Sequence, residues 1–518
     1  MSILTVENVN HGFGSRSILA NVSFRLLKGE HVGLIGANGE GKSTFLNIIT
    51  GTLMPDEGNV EWCNRISVGY LDQHAVLSKG KTIRDILREA FQGMYDLEAE
   101  MISIYDKMAD MDDKTMTKAM EDVGEIQTIL DSGSFYTLDS KIEEVANGLG
   151  LGSIGLDKDV TDLSGGQRTK VLLTKLLLEN PMILILDEPT NFLDAEHIIW
   201  LTRYLQNYEN AFLLVSHEVN FLNDVCNIIY HMENAEITRY VGGYDQFLEL
   251  SELRKNQQSH EYEKQQKEID KMEDFISRNK ARFSTTGRAK SRQKQLDKME
   301  LVEKPKERIK PTFRFKEARV PGKLVFQLEH LVIGYEDPLT KPLFLKLERG
   351  KKIAIMGANG IGKSTLLKTL MRELDPLSGQ VELDHYLHIG YFEQESSRDN
   401  SNTAIEEIWK DYPSLSNYQA RQVLAKCGLT NEHITSQMMV LSGGENAKVR
   451  LCKLMLKDVN WLILDEPTNH LDVDAKEELK RALKEFKGTL ILVCHEPDFY
   501  EDWIDEIWNV EQWTTKIV

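Results

Sequence analysis

The sequence predicts an α/β protein in which one domain occurs twice, with a helical segment between the two copies. The segment Gly33–Gly51 resembles Ala354–Met371, and each lies between an apolar run of strand length and a helix-like run. Three further pairs recur in the same order: Leu163–Gln167 with Leu441–Glu445, Leu184–Asp194 with Leu462–Asp472, and Val215–Glu218 with Val493–Glu496. Among the 518 residues, 41% are hydrophobic and 28% are charged, which is typical of folded globular domains.

Composition excludes several other classes of protein. The apolar runs are of strand length, well below the roughly 20 residues that span a bilayer, so we expect no membrane segment. The N-terminus does not have the pattern of an export signal, and the five cysteines are never spaced as CxxC. We therefore expect a cytoplasmic protein without a disulfide framework or a zinc site. A net charge of −19 disfavours a nucleic-acid partner only if the charge is spread evenly.

The first copy contains an insertion. The distance along the chain from Lys42 to Lys363 is longer than the distance from Ser164 to Ser442, although both pairs mark equivalent positions of the two copies. The extra chain of the first copy therefore lies between these landmarks, and we place it within 84–142, here called the arm. Apolar residues at helical spacing, without proline, predict a helical hairpin with a break near 111–114. A surface hairpin without a partner is the alternative reading of this segment.

Residues 251–312, here called the linker, separate the first module (1–250) from the second module (313–518). The linker is rich in Gln, Glu and Lys, and a thin apolar seam runs along it at helical spacing, formed by Tyr262, Ile269, Met272 and Ile276. We expect two long antiparallel helices, with a loop near 284–287 and the second helix through Lys290–Glu300.

Each module contains a glycine-rich segment between a strand and a helix, which is the context of a Walker A phosphate loop. The glycines let backbone N–H groups converge on the phosphates, and the helix N-terminus favours their negative charge. A lysine neutralises the β- and γ-phosphate oxygens and the next serine ligates Mg²⁺. The predicted residues are Gly36, Asn38, Gly39, Gly41, Lys42, Ser43 and Thr44, and in the second module Gly357, Asn359, Gly360, Gly362, Lys363, Ser364 and Thr365.

An acidic pair follows an aliphatic strand in each module. Asp187 and Asp465 end these strands, where a carboxylate can bind Mg²⁺, often through water. The next residue, Glu188 or Glu466, is placed to polarise the attacking water. A charged cap on a strand end is the alternative.

The remaining motifs complete a recognisable set. LSGGQ at 163–167 and LSGGE at 441–445 each open a helix that precedes the strand with the acidic pair. A glutamine ends VGYLDQ and IGYFEQ (Gln73 and Gln394), and a histidine follows a short strand (His217 and His495). With the phosphate loops, this set resembles the ATP-binding-cassette ATPases. The resemblance implies two P-loop ATP-binding-cassette domains that pair head to tail, with ATP between the Walker A of one and the signature of the other.

The resemblance also assigns residues to two composite sites. Lys42 would share a site with Ser442, Gly443 and Gly444, and Lys363 would share one with Ser164, Gly165 and Gly166. Glu188 and Glu466 would be general bases, His217 and His495 switch residues, and Gln73 and Gln394 would contact ATP and Mg²⁺. Phe13 and Tyr335 would stack on adenine, although both positions also suit ordinary aromatic residues at strand ends.

Positive charge is concentrated in one part of the linker. Residues 275–298 carry eight basic side chains against Asp297, a charge of +7 that leaves −26 on the rest of the chain. Phe275 and Phe283 interleave with the charges, a pattern suited to salt-dependent RNA binding. The alternative is a solvated helical tip. The basic residues are Arg278, Lys280, Arg282, Arg288, Lys290, Arg292, Lys294 and Lys298.

Two such modules, an arm in the first only and a helical linker with a basic tip resemble the ABC-F family over essentially the whole chain. The resemblance implies a cytosolic monomer that hydrolyses ATP with Mg²⁺ and binds the large ribosomal subunit near the tRNA exit site. The linker would contact ribosomal RNA and tRNA. ATP would close the two modules, and hydrolysis would reopen them and release the ribosome. The stretch 101–125 has seven acidic and three basic residues, so the arm is expected to contact a basic ribosomal protein instead of RNA.

Other functions stay open at this point. The chain could be the energising subunit of an ABC transporter, or a non-catalytic or DNA-directed cassette protein. Within the ABC-F interpretation, a housekeeping translation factor and a protein that protects ribosomes from antibiotics are both compatible with the motifs.

Overall fold

The computed structural model describes residues 2–13, 16–71, 80–108, 112–279, 286–299, 310–358, 360–393, 400–469 and 471–515. Strands and helices alternate through both modules, which confirms the predicted α/β class and the repetition of one domain.

The first module is built around a mainly parallel sheet. Its strands are β1 (Ser2–Phe13), β2 (Arg16–Leu27), β3 (His31–Ile35), β4 (Glu57–Trp62), β5 (Val68–Tyr70), β6 (Ile183–Asp187), β7 (Ala211–Val215), β8 (Ile228–Glu233) and β9 (Glu236–Val241). Its helices are α1 (Lys42–Ile49), α2 (Ile83–Arg88), α3 (Gln92–Met108), α4 (Asp113–Ser132), α5 (Leu138–Gly148), α6 (Gly165–Glu179), α7 (Ala195–Gln206) and α8 (Val219–Val225).

The strand order of the main sheet brings the predicted motifs together. The order is β5-β6-β7-β3-β8-β9, parallel up to β8, while β2-β1-β4 form a separate antiparallel sheet. Helices and the second sheet cover both faces, so β7 is buried throughout. Because the carboxyl ends of parallel strands lie at one edge, the segments after β3, β6 and β7 meet there.

The arm emerges between α2 and α5. Thr82 and Thr403 start matching helices with capping boxes, and their separation along the chain equals that of the two Walker A lysines. Gly150 and Gly428, both with positive φ, already have the shorter separation of the two signature serines. The extra chain is therefore essentially α3 and α4, and these form the predicted hairpin, joined by a core that includes Met101.

The linker is a pair of helices, α9 (Tyr244–Asn279) and α10 (Thr286–Leu296), which pack against each other. Helix α9 begins inside the first module, where Tyr244 and Phe247 join the core, so the boundary expected at residue 250 falls within a helix. The expectation of a loop at 284–287 is wrong at its C-terminal end, because α10 already includes residues 286 and 287.

The second module repeats the plan. Its strands are β10 (Lys316–Glu317), β11 (Leu324–Val332), β12 (Lys346–Glu348), β13 (Lys352–Met356), β14 (Ser378–Leu383), β15 (Ile389–Phe392), β16 (Asp458–Val459), β17 (Trp461–Asp465), β18 (Thr489–Val493) and β19 (Glu506–Asn509). Its helices are α11 (Lys363–Leu370), α12 (Ala404–Asp411), α13 (Asn417–Lys426), α14 (Asn431–Thr435), α15 (Gly443–Leu456), α16 (Val473–Glu485) and α17 (Pro497–Tyr500). The main sheet has the order β15-β17-β18-β13-β19.

Candidate functional site

Both phosphate loops have the backbone that anion binding requires. Gly41 and Gly362, each just before its helix, have φ of 101° and 109°, which a side chain would strain. In the first loop the Lys42 ammonium donates to the carbonyl oxygens of Gly36 (2.8 Å) and Ala37 (3.1 Å). The Lys363 ammonium donates to Gly357 (2.6 Å) and Ala358 (3.2 Å) in the same way. Each loop thus holds its lysine ammonium against its own backbone carbonyl groups.

A hydroxyl and a carboxylate meet beside each loop. Ser364 Oγ donates to Asp465 Oδ2 at 2.7 Å, and Ser43 hydrogen-bonds to Asp187. Burial raises the pKa of Asp465 to about 6. These hard oxygen donors suit Mg²⁺. Among the described residues no cluster of three or more His, Cys, Asp or Glu can hold a metal. Gln73, Gln394 and Asn359 lie outside the described residues.

The first candidate hydrolytic centre contains Glu188 and His217. Glu188 has a backbone φ of 48°, which is unusual for a residue other than glycine. The Glu188 side chain lines a cavity between the modules. His217 Nε2 lies 3.3 Å from Glu188 Oε1 and 3.2 Å from Asn38 Oδ1. Burial raises the pKa of Glu188 to about 8, although the charge of Lys42 opposes this.

The second candidate hydrolytic centre has the same backbone conformation at its glutamate but different side-chain contacts. Glu466 has φ of 49°, and its carboxylate lies 3.1 Å from His495 Nε2 and accepts a 2.7 Å hydrogen bond from Asn469. His495 Nε2 also lies 3.0 Å from Lys363 Nζ. Burial acts to raise the pKa of Glu466, but the contact with His495 and the charge of Lys363 outweigh it, so this pKa is below its usual value.

Each signature serine caps a helix. Ser164 Oγ accepts from the Gln167 amide (3.3 Å), and the Ser164 amide donates to the Gln167 side chain (3.0 Å). Ser442 and Glu445 form the same reciprocal pair at 3.3 and 2.9 Å. The fifth signature residue is therefore a capping-box partner, which the sequence analysis missed although the spacing of Ser and Gln or Glu signals it. The first turns are formed by Gly165, Gly166, Gly443 and Gly444.

The first phosphate loop faces the second module across a cavity of about 570 Å³. Ala37, Asn38 and Gly39 line one side, and His433, Lys448 and Asp472 of the second module are among the residues on the other. This is the general arrangement that a composite site requires. Ser442 is not among the described residues that line this cavity, so its pairing with Lys42 stays a prediction, as does that of Lys363 with Ser164.

Three further pairs of charged or titratable side chains were not anticipated. Lys448 donates to Asp472 at 2.7 Å, and the repeat-related Lys170 lies 3.7 Å from Asp194. The identity of both residues in the two copies was the available signal. His433 Nε2 lies 3.1 Å from Glu445 Oε1, and because residue 155 of the first module is a glycine, no repeat revealed this pair.

The predicted adenine-stacking residues are both exposed, Phe13 at 57% and Tyr335 at 66%, so each presents a ring face at the surface. Their contact with adenine stays a prediction.

The described part of the linker tip shows how its charges are arranged. The Arg292 guanidinium lies 3.9 Å from the centroid of the Phe275 ring, so Phe275 already stacks within the hairpin. Arg278 pairs with Asp274 at 2.7 Å and is 76% exposed, and Lys294 is also exposed. Lys280 and Arg282 lie outside the described residues; Arg288 and Lys290 belong to α10.

Known proteins share this organisation. A family model described as ABC transporter matches residues 19–191 and 340–469, and a second model of the same description matches 230–315. The ABC transporter ATP-binding protein YfmM of Bacillus subtilis (strain 168) is 62% identical over the full length of both chains. ABC transporter F family member 2 of Arabidopsis thaliana is 36% identical over 98% of this chain and 74% of its own length. The chain belongs to the ABC-F family.

As an ABC-F protein the chain is an ATPase that hydrolyses ATP to ADP and phosphate. Its tandem fold is shared with the archaeal ribosome recycling factor aABCE1, solved in complex with the ribosomal stalk protein aP1. That structure has a TM-score of 0.58 and 21% identity, and the match covers 97% of this chain and 87% of the other. Within the described residues, no helix of this ABC-F protein is long and apolar enough to cross a membrane.

Proposed function

We propose that this ABC-F ATPase is a cytoplasmic monomer that binds the large ribosomal subunit near the tRNA exit site and modulates translation or protects ribosomes. The observation that carries the proposal is the concentration of +7 on residues 275–298 of a chain that is otherwise −26. A local cluster of Lys and Arg supplies the electrostatic part of RNA binding whatever the average charge. Its contacts would be with ribosomal RNA and tRNA.

The hairpin geometry supports this role for the tip. The Arg292 stack on Phe275 ties α10 to α9, so two packed helices present the described basic side chains of Arg278, Arg292 and Lys294. Arg278 keeps most of its surface exposed despite its pair with Asp274. Exposed surface ion pairs contribute little stability, so a phosphate can compete for this guanidinium.

In the hydrolytic cycle we assign Lys42 and Lys363 to the phosphates and Glu188 and Glu466 to the attacking water. Ser43 and Asp187, with Gln73, would hold Mg²⁺ in one site. Ser364 and Asp465, with Gln394, would hold it in the other. Bound Mg²⁺ neutralises charge on the phosphate oxygens. His217 and His495 each contact the carboxylate of their own centre and orient it.

The tandem fold is shared with aABCE1, an archaeal ribosome recycling factor, and this likeness supports a ribosomal partner. A transporter subunit is the competing function. Fractionation separates the two, because a transporter subunit would sediment with membranes and this protein is expected to sediment with ribosomes.

The decisive experiment is ribosome pelleting of the double variant Glu188→Gln, Glu466→Gln in ATP. Loss of both bases stops hydrolysis but leaves ATP binding, so the closed, ribosome-bound state should accumulate and the pelleted fraction should rise several-fold over wild type. The proposal fails if the double variant pellets no better than wild type. Imaging of the complex then identifies what the linker tip contacts.

A charge variant tests the tip itself. Replacing Arg278, Arg292 and Lys294 by Gln in the double variant should weaken pelleting and reduce its dependence on salt. The matched control replaces Lys264, Lys267 and Lys271 by Gln, which are exposed on α9 outside the tip, and should leave pelleting unchanged. Equal loss with both sets would show that total charge, and not the tip, determines binding.

A further inference from the structure

A series of contacts connects the surface that faces the first phosphate loop to the signature serine of the second module. His433, on α14, lines the cavity of about 570 Å³ opposite residues 37–39 of the first phosphate loop. Its Nε2 lies 3.1 Å from one carboxylate oxygen of Glu445, on α15. The other carboxylate oxygen accepts a 2.9 Å hydrogen bond from the Ser442 amide. Glu445 is therefore the link between the histidine and the serine.

Both nitrogens of the His433 ring have a neighbour. The Thr430 amide donates to Nδ1 at 3.4 Å, as part of the capping box that starts α14. Since Nδ1 accepts this bond, the hydrogen of the ring is carried by Nε2, the nitrogen that faces Glu445. The imidazole is thus oriented from one side and presents its second nitrogen to the carboxylate on the other.

Glu445 depends on such a partner because it is buried. It is 7% exposed, whereas Ser442 and Gly443 at the start of the same helix are exposed. A carboxylate taken out of water is costly unless polar groups surround it, and the Ser442 amide occupies only one of its two oxygens. Being buried itself, Glu445 can influence a bound nucleotide only through the exposed serine that it holds.

The first module holds its signature serine by other means. Gln167 stands at the position of Glu445, and Gly155 stands at the position of His433. The neutral side chain of Gln167 accepts from the Ser164 amide at 3.0 Å and carries no charge that has to be stabilised. The carboxylate and the imidazole occur together in one module, and both are replaced in the other. This is the pattern of two residues that act as a pair.

We propose that His433 is a positioning residue for the composite site of Lys42 and Ser442. It holds the Glu445 carboxylate in place and thereby directs the first turn of α15, with Ser442 at its start, towards the phosphates bound by Lys42. The inference deepens the proposed pairing of Lys42 with Ser442 and rests on it. The other composite site is built on the neutral cap of the first module, so the two signature serines are positioned in different ways.

The test is steady-state ATP hydrolysis by the full-length protein in which only one centre is active. Glu466→Gln leaves the first centre, whose ATP would contact Ser442. In this chain His433→Ala should raise the KM for ATP about tenfold, because the carboxylate without its partner leaves the cap. The change in kcat should be smaller, since the serine binds ATP in the ground state and in the transition state alike. In a Glu188→Gln chain, His433→Ala should change KM less than twofold.

Glu445→Gln provides the decisive comparison. It gives the second signature the neutral residue of the first, so the cap no longer contains a buried charge that needs a partner. In a chain with Glu466→Gln and Glu445→Gln, the further change His433→Ala should alter KM less than twofold. A tenfold rise in this chain as well would overturn the inference, because His433 would then not act through Glu445.

His385→Ala is the matched control, because His385 is an exposed histidine of the second module and is not among the described residues that line the cavity. It should leave KM unchanged at both centres. A loss of kcat in His433→Ala with KM unchanged would overturn the inference, since a smaller folded fraction produces that result. Equal effects of His433→Ala on the two centres would also overturn it.

Ser442→Ala separates this inference from the proposal on which it rests. If Ser442→Ala leaves the KM of the Glu466→Gln chain unchanged, the pairing of Lys42 with Ser442 fails and the inference fails with it. If Ser442→Ala raises KM and His433→Ala does not, the inference alone is overturned. Ribosome pelleting tests the ribosomal partner and is independent of these outcomes.

Discussion

The two candidate hydrolytic centres have nearly the same backbone and different electrostatics. Glu188 and Glu466 adopt φ of 48° and 49°, each directly after a buried parallel strand and each beside a histidine that follows the neighbouring strand. Yet burial raises the pKa of Glu188, whereas the surroundings lower that of Glu466. The difference teaches that a duplicated backbone fixes where a carboxylate lies, while its neighbours decide whether it is ionised at neutral pH.

The largest expected effect separates the two centres by pH. Replacing either base by Gln should reduce hydrolysis at its own centre by roughly 10²-fold or more. In the Glu466→Gln chain only Glu188 remains, and because its pKa is raised to about 8, the rate should climb about tenfold per unit up to that pH. In the Glu188→Gln chain the rate should be flat above pH 6, since the lowered pKa of Glu466 leaves it ionised. Pre-steady-state rates of ATP hydrolysis from pH 6 to 9 give the pH profile of each single-site chain. Identical profiles would contradict the expected difference between the two centres.

The switch histidines provide an intermediate effect. His495 lies 3.1 Å from Glu466 and holds its pKa down, so His495→Ala should raise that pKa by about one unit and slow the second centre most at low pH. His217→Ala should shift the first centre less, because burial and Lys42 are the main influences on Glu188. The measured quantity is the difference between the apparent pKa values of each variant and its parent single-site chain. A larger shift for His217 would contradict the assignment.

The smallest effect concerns the two signature helices. Loss of a capping box costs about 1 kcal/mol, so Gln167→Ala and Glu445→Ala should each increase hydrogen exchange in the first turn of α6 or α15 several-fold. Glu445→Ala should have the larger effect because it also leaves His433 without its carboxylate partner at 3.1 Å. Hydrogen exchange is measured by mass spectrometry on peptides that cover the first turns of α6 and α15, with the unchanged module of each variant as the internal control. The measurement shows which of the two variants has the larger effect.

The sequence predicted what repeats and local spacing determine. The phosphate loops, the strand-end carboxylates and the arm follow from segments that occur twice or from a change in the offset between them. The contact of His433 with Glu445 was not predictable, because residue 155, the equivalent of His433 in the first module, is a glycine. Likewise the stack of Arg292 on Phe275 depends on how two helices meet, and the basic pattern alone suggested that this ring was available to a base.

The linker has a further consequence that follows from its length. Helix α9 is continuous for 36 residues and is anchored in the core of the first module by Tyr244 and Phe247. At about 1.5 Å per residue it extends about 54 Å. A rigid rod of that length acts as a lever, and each degree of rotation at its anchored end moves the far end by about 1 Å. Small rearrangements at the nucleotide sites are thereby magnified into displacements as large as a nucleotide base.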